Sequence, residues 1–347
     1  MKKTKIIKVG NIVLGDKKEI IVQSMLSTPS SDINAAVRQA LKLQEAGCRI
    51  IRVAIPDKQA VKVIAALKEH TLMPVVADIH FDYKLALESI EAGVDKIRIN
   101  PGNIGDEQKV KAVANACKNK KIPIRIGVNG GSLEKEILSK YGHPIAEALV
   151  ESALYHVSLL HKFDFDDIVI SLKSSNVQTM INAYRILAQK VNYPLHLGVT
   201  EAGPKDIGIV KNAIGIGSLL ADGIGDTIRV SLTADPVSEV EAGYMILNAL
   251  GLKKDACQII SCPTCGRCKI DVISLANKVE AVLKNYKKGL KVAVMGCAVN
   301  GPGEAKEADI GVAGGNGEGL IFKKGQILKK VKYDMILNEL IEEIKKL

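Results

Sequence analysis

At 347 residues, with 47% apolar and 25% charged residues, the chain is long and apolar enough to fold as one large domain and a small one, which excludes a disordered chain. Its formal net charge of +10 is spread along the length, and with no Trp and four Phe it offers neither a stacking platform nor a basic arm for nucleic acid; acidic small substrates and an acidic protein partner suit the balance better. The basic start has too short an apolar run for a secretory signal, and no stretch approaches the roughly 20 apolar residues of a membrane span. A cytoplasmic protein with reduced thiols is expected.

Residues 1–255 repeat one unit: a short β-branched run, a loop, then an amphipathic helical stretch. The pattern predicts strands at 20–23, 49–54, 75–79, 96–99, 123–128, 168–172, 195–199 and 227–232. Helical segments lie between them, among them 32–46 with an Asp cap and a terminal Gly47, 83–92 before Gly93, and 237–250 after the cap and first-turn proline of Asp235-Pro236. Alternating βα units call for a parallel sheet, and eight of them in this length call for a TIM barrel. An open doubly wound sheet is the main alternative. It would usually carry a glycine fingerprint after its first strand, where this chain has Ile20-Ile-Val-Gln-Ser-Met.

Barrel enzymes build their sites at the C-terminal ends of the strands. In chain order those ends carry Arg52, Asp78 with His80, Arg98 with Asn100, Arg125 with Asn129, Lys173, Thr200 with Glu201, and Arg229 with Ser231. Alternate residues of a strand share a face, so Asp78 and His80, Arg98 and Asn100, and Arg229 and Ser231 point the same way. Four arginines and a lysine on one mouth repel each other unless a highly charged anion lies among them, which makes a diphosphate or several phosphates the natural ligand. The stretch Gly127-Val-Asn-Gly-Gly-Ser132 adds backbone amides for phosphate oxygens. His70, His143, His156, His161 and His196 are read as structural or surface residues.

Residues 256–347 change pattern and form a small α+β domain: a cysteine turn, a helix at 272–283, a strand at 290–295, a Cys297 loop, a turn at the glycines of 314–319, and a final helix at 332–346. The turn reads Cys262-Pro-Thr-Cys265-Gly-Arg-Cys268 and is answered by Gly296-Cys297 and Asn300-Gly-Pro-Gly-Glu304. Two thiolates of a Cys-x-x-Cys turn closed by a distant third make a metal site, whereas an odd cysteine count without a secretory segment speaks against a disulfide framework. Residues 269–347 hold no His, so a zinc ribbon is poorly supported. Three cysteines with a nearby carboxylate suit a 4Fe-4S cluster with one iron held by a harder, replaceable ligand. By spacing alone, Cys268 rivals Cys297 as the third thiolate, and Glu304 after Gly-Pro-Gly reads first as a solvated side chain, although its distance from Cys297 lets one loop bring both to the same iron.

Together these residues resemble the 4-hydroxy-3-methylbut-2-enyl diphosphate synthases, reductive iron-sulfur enzymes of the methylerythritol phosphate route to isoprenoids. The resemblance covers essentially the whole chain and is most specific in Ser261-Cys-Pro-Thr-Cys-Gly-Arg267, Gly296-Cys-Ala-Val-Asn-Gly-Pro-Gly-Glu304, Gly198-Val-Thr-Glu-Ala-Gly203 and Leu220-Ala-Asp-Gly-Ile-Gly-Asp-Thr-Ile-Arg-Val-Ser231. It implies a TIM barrel followed by an iron-sulfur domain, working as a head-to-tail homodimer in which one subunit's cluster caps its partner's barrel. It implies a 4Fe-4S cluster held by Cys262, Cys265, Cys297 and Glu304, with Cys268 departing from the family's usual pattern. The implied reaction is reductive ring opening and dehydroxylation of 2-C-methyl-D-erythritol 2,4-cyclodiphosphate to the allylic diphosphate and water, with electrons from flavodoxin or ferredoxin. By resemblance Arg125, Asn129, Lys173, Arg229 and Ser231 hold the diphosphate, and Arg52, Asp78, His80, Arg98, Asn100, Thr200 and Glu201 line the rest. Glu201 is the candidate for proton delivery, and Glu304 the ligand that gives way to substrate oxygen. Two other readings are a pterin- or corrinoid-type barrel transferase with an accessory cluster and a non-enzymatic iron-sulfur redox sensor. The ordered basic mouth has no use in the second.

Overall fold

The computed structural model describes residues 2–16, 19–284, 286, 288–297 and 305–347. They fall into two compact units, Met1–Leu250 and Gly251–Leu347.

The first unit is a barrel of eight parallel strands: β3 (Ile21–Met25), β4 (Ile50–Ala54), β5 (Val75–Asp78), β6 (Lys96–Ile99), β7 (Ile124–Asn129), β8 (Ile168–Lys173), β9 (His196–Leu197) and β10 (Thr227–Ile228). Each strand from β3 to β8 pairs with the next, and β10 pairs with both β3 and β9. A bridge between Ile170 and Leu195 joins β8 to the segment entering β9 and closes the ring. The outer layer comprises α1 (Ile33–Glu45), α2 (Lys62–His70), α3 (Tyr83–Glu91), the short α4 (Pro101–Ile104), α5 (Glu107–Lys120), α6 (Lys135–Tyr141), α7 (Ala146–His161), α8 (Val177–Lys190), α9 (Lys205–Ala221) and α10 (Pro236–Ala249). Local chemistry sets their starts: Asp32 accepts from the Ala35 amide at 2.9 Å and Asp235 from the Val237 amide at 2.8 Å, each satisfying a donor that a helix leaves unpaired.

A hairpin that the sequence pattern did not reveal, β1 (Ile7–Val9) and β2 (Ile12–Leu14), plugs the N-terminal end of the barrel. Its Ile7, Val9, Ile12 and Leu14 pack on Ile21, Ile50, Val76 and Val169. Such alternation in three-residue strands is too short to stand out as a pattern. The last two barrel strands are shorter than the sequence predicts. After Arg229, whose amide bonds the Leu197 carbonyl at 2.9 Å, the chain leaves the ladder, and the Leu232 amide is taken by the Glu239 carboxylate at 3.0 Å.

The second unit is a five-stranded sheet ordered β11 (Gln258–Ser261), β12 (Lys291–Met295), β13 (Ile310–Gly314), β14 (Glu318–Lys323) and β15 (Gln326–Lys332). The first three strands run parallel and the last two antiparallel. Two helices, α11 (Val272–Leu283) and α12 (Ile336–Lys345), bury Val272, Leu275, Val279, Ile336, Leu340 and Ile344 against one face of the sheet. On the other face Ala293, Met295, Ala313 and Phe322 form a smaller core with Ala305 and Ala308. The glycine stretch is the turn between β13 and β14, with Gly314 opposite Gly319. The expected helix at 332–346 starts later, because Lys332 still pairs with Glu318 at the end of β15 and a 3-10 turn, Tyr333–Met335, intervenes.

Candidate functional site

A cavity of about 560 Å³ opens at the C-terminal ends of the barrel strands. Arg52, Asp78, His80, Arg98, Asn129, Lys173, Thr200, Glu201, Arg229 and Ser231 line it, with the loop residues Gly130, Gly131 and Ser132. Asn100 and Arg125 do not line it; both are buried, at 3% and 0% exposure. Glu304 lies outside the described residues.

Asp78 organises one side of this mouth. Arg98 Nη1 donates to its Oδ1 at 3.0 Å, and Arg52 Nε lies 3.8 Å from its Oδ2. Burial alone would raise the Asp78 pKa, but Arg52, His80 and Arg98 hold the carboxyl well below the usual carboxylate range. Arg98 Nη1 also lies 2.8 Å from His80 Nε2, and Arg98 Nη2 donates to the Gly127 carbonyl at 3.3 Å. The small residue is required there: a Cβ on Gly127 would overlap Arg98 Nε and stand 2.8 Å from Nη2.

Arg229 organises the other side. Its Nη2 donates to both Glu239 oxygens at 3.3 Å, and its Nε reaches Oε2 at 3.4 Å. Met25 Sδ sits between the two sides, accepting from Arg52 Nη2 at 2.7 Å and from Arg229 Nη1 at 3.8 Å. The remaining lysine, Lys173, is pushed well below its ordinary pKa by burial, then by Arg52, Arg229, Arg125 and Arg98. Arg52 falls to about 10, with burial the largest cause and Asp78 opposing it. Three arginines against Asp78 and Glu201 in the lining leave a surplus of positive charge at the cavity, to which Lys173 adds whenever it is protonated. Glu201 is exposed and holds φ at +52°, a left-handed conformation that costs a non-glycine residue energy and that clusters at working sites.

Three residues of this neighbourhood were not singled out from the sequence. Lys96 precedes Arg98 by one period of the strand and therefore faces the barrel interior, a placement that the alternation already contained. It is fully buried, and its Nζ has no hydrogen-bond partner among the described residues; the Arg125 nitrogens, both Gln23 side-chain atoms and His196 Nε2 share that state. Glu239 and Met25 gave no signal, because their side-chain contacts with Arg229 and Arg52 belong to the folded barrel and to no local pattern.

The cysteine loops of the second unit leave its sheet at one edge. β11 and β12 are parallel, with Ser261 opposite Val294, so Cys262 and Gly296-Cys297 follow neighbouring strand ends. The Gly296 amide donates to Cys262 Sγ at 3.1 Å, and the Lys269 amide donates to the Gly296 carbonyl at 2.8 Å. A Cβ on Gly296 would overlap Cys268 Sγ and stand 3.6 Å from Cys262 Sγ, so the missing side chain is the cradle in which two thiols meet. Cys262, Cys265, Cys268 and Cys297 are all unpaired thiols. Among the described residues no three His, Cys, Asp or Glu side chains already close on one point. A set of soft thiol donors on two adjacent loops nonetheless fits an iron-sulfur cluster better than a hard cation. Cys48 and Cys117, by contrast, are thiols that burial pushes up, Cys48 to about 12, as in inert core cysteines.

Comparison with known proteins covers both units. The barrel likeness extends to dihydropteroate synthase from Xanthomonas albilineans, with a TM-score of 0.50 and 18% identity over 71% of this chain and 98% of that one, and shows the fold alone. The chain is 60% identical to the 4-hydroxy-3-methylbut-2-en-1-yl diphosphate synthase (flavodoxin) of Clostridium perfringens over 99% of its own length and 98% of the relative's. It is 61% identical to the protein of the same name from Caldanaerobacter subterraneus, over 100% and 98%. With the GcpE TIM-barrel domain matched by residues 4–244 and the GcpE protein C-terminal domain by residues 258–346, the chain belongs to the GcpE family.

Proposed function

We propose that the chain is a 4-hydroxy-3-methylbut-2-en-1-yl diphosphate synthase. It is an oxidoreductase that opens the ring of 2-C-methyl-D-erythritol 2,4-cyclodiphosphate and removes a hydroxyl, giving the allylic diphosphate and water. The observation that carries this reading is the cationic mouth of a barrel whose full-length relatives bear that name. Arg52, Arg98, Lys173 and Arg229 surround a cavity in which they outnumber the carboxylates, an arrangement suited to a diphosphate. Asn129 and Ser231 add amide and hydroxyl groups on the same lining, and Arg125, buried behind it, adds positive charge to that of the lining arginines.

Within this reading each side chain has a task. Asp78 stays ionised and fixes the Arg52 and Arg98 guanidiniums, so that their remaining donors face the substrate oxygens. Asp78, His80 and Thr200 line the hydrocarbon-bearing part of the substrate. Glu201, exposed at the rim and strained, delivers the proton that the departing hydroxyl needs to leave as water. Cys262, Cys265, Cys297 and Glu304 would hold a 4Fe-4S cluster, which when bound supplies single electrons and a Lewis-acidic iron for the departing oxygen.

Flavodoxin is the electron donor that the relatives' names carry, and an acidic partner of that kind suits a chain of net charge +10. The working form is a homodimer; the stripe of Ile207, Val210 and Ile214 on the exposed face of α9 is apolar surface that a second copy would cover. None of the described helices is long and apolar enough to cross a membrane, and the cytoplasm is where such thiols stay reduced.

The test is anaerobic. The reconstituted protein, with its cluster confirmed by absorbance, should oxidise a reduced viologen when the cyclodiphosphate is added and release the allylic diphosphate. An intact cluster with no substrate-dependent oxidation refutes the assignment.

A further inference from the structure

Glu239 belongs to no motif and does not line the cavity, yet donors from three residues, two on the segment leaving β10 and one on β3, end on its carboxylate. It lies in the first turn of α10 and is 3% exposed. Arg229 reaches it from β10 through Nε and Nη2, leaving Nη1 directed away toward Met25. The Leu232 amide, one residue beyond Ser231, donates to Oε1 at 3.0 Å. Ser24 Oγ, on β3, donates to Oε2 at 3.3 Å. The carboxylate therefore fixes the plane of one cavity-lining guanidinium and the backbone next to a cavity-lining hydroxyl, and ties both to the first strand of the barrel.

A buried carboxylate beneath an anion site is unfavourable for the anion by Coulomb's law, since its charge opposes the ligand's. Its presence makes sense when the gain lies in direction: a bidentate hold on Nε and Nη2 removes the rotational freedom of a long side chain, whose ordering would otherwise be paid for on binding. We propose that Glu239 is a positioning residue for the diphosphate, acting through Arg229 and through the strand end that carries Ser231. This inference rests on the functional reading above and names a residue outside the site as that reading draws it.

Charge and direction make opposite predictions for Glu239→Gln. If Glu239 acted by charge alone, the neutral variant would bind the anion more tightly. As a positioning residue, its replacement raises KM for the cyclodiphosphate about tenfold or more while kcat changes less, because orientation that serves the ground and transition states equally shows in KM. Calorimetric titration of the cyclodiphosphate into the full-length wild type, Glu239→Gln, Arg229→Ala and the double variant separates the cases. The expected result is at least a tenfold loss of affinity from Glu239→Gln in the presence of Arg229 and less than a twofold loss in its absence. Tighter binding by Glu239→Gln, or the same loss in both backgrounds, overturns the proposal. Glu239→Asp, which keeps the charge but shortens the reach, should recover part of the affinity only if Arg229 is present. A wild type that neither binds nor reduces the cyclodiphosphate overturns the functional reading instead, and the same cycle read with inorganic pyrophosphate then decides Glu239 by the same criteria.

Discussion

Lys96→Met should stabilise the barrel. Lys96 is fully buried on β6, its Nζ has no hydrogen-bond partner among the described residues, and burial followed by the nearby Arg125 and Arg52 lowers its pKa well below the ordinary lysine value. Methionine keeps an unbranched stem of similar length and removes the ammonium, so packing is largely retained. Leaving a buried donor unsatisfied costs about 1–3 kcal/mol. Relieving that cost in a unit of this size should raise Tm by about 2–12 °C, at about 2–4 °C per kcal/mol. The pH dependence follows from the sign of the shift. A lysine whose folded-state pKa is lowered penalises the fold most below that pKa, and the penalty vanishes as pH passes the unfolded value of about 10.4. The gain over wild type should therefore be large at pH 7 and shrink towards pH 10. Differential scanning calorimetry of the two proteins, without added anions, measures it. A lower Tm for Lys96→Met at pH 7, or a gain that does not fall with pH, would refute the idea that the ammonium is an uncompensated charge.

Two further outcomes are open to direct measurement. Asp78 has its folded-state pKa depressed, so its contribution is complete above the unfolded value of about 3.9 and is lost as pH falls through the folded one; Asp78→Asn, which strips Arg52 and Arg98 of their counter-ion, should cost about 3–5 kcal/mol at pH 7 and flatten the acid limb in urea titrations between pH 2 and 7. Gly296→Ala puts a methyl where Cys268 Sγ lies, so iron retained against a chelator should fall roughly tenfold or more while the thermal transition of the barrel stays in place; unchanged iron retention would show that the thiols need no cradle.

Periodicity located the barrel because it is a local property. Lys96–Ile99 and Val272–Leu283 stand as expected, and most other barrel strands differ from expectation by a residue or two at an end. What stayed hidden depends on tertiary contacts. The chain leaves the ladder after Arg229, and the Leu232 amide goes to the Glu239 carboxylate on the following helix and not to a neighbouring strand. The N-terminal hairpin is too short to show alternation, and only Lys332, the last residue of β15, reads in the sequence as the start of the final helix. For the site, the polar strand ends were legible because alternate residues face one way, and ten of the twelve barrel residues singled out line the cavity. Exposure was not legible: nothing in the spacing of Arg125 and Asn100 tells that both are buried.

The plug at the base of the barrel has a consequence for how the chain is made. Its residues are made well before their packing partners, which extend to Val169, and the Lys2 and Lys5 amides bond the carbonyls of Gly223 and Asn192. At synthesis rates of about 5–20 residues per second, the hairpin waits roughly 10–40 s for those partners to appear. During that interval Ile7, Val9, Ile12 and Leu14 are exposed apolar edge, the kind of surface that chaperones shield and that aggregates when they do not. Contacts between the first residues and those some 190–220 positions later also make barrel closure a slow, late step. The end of the barrel farthest from the chemistry is thus completed only once residues near 223 have been made.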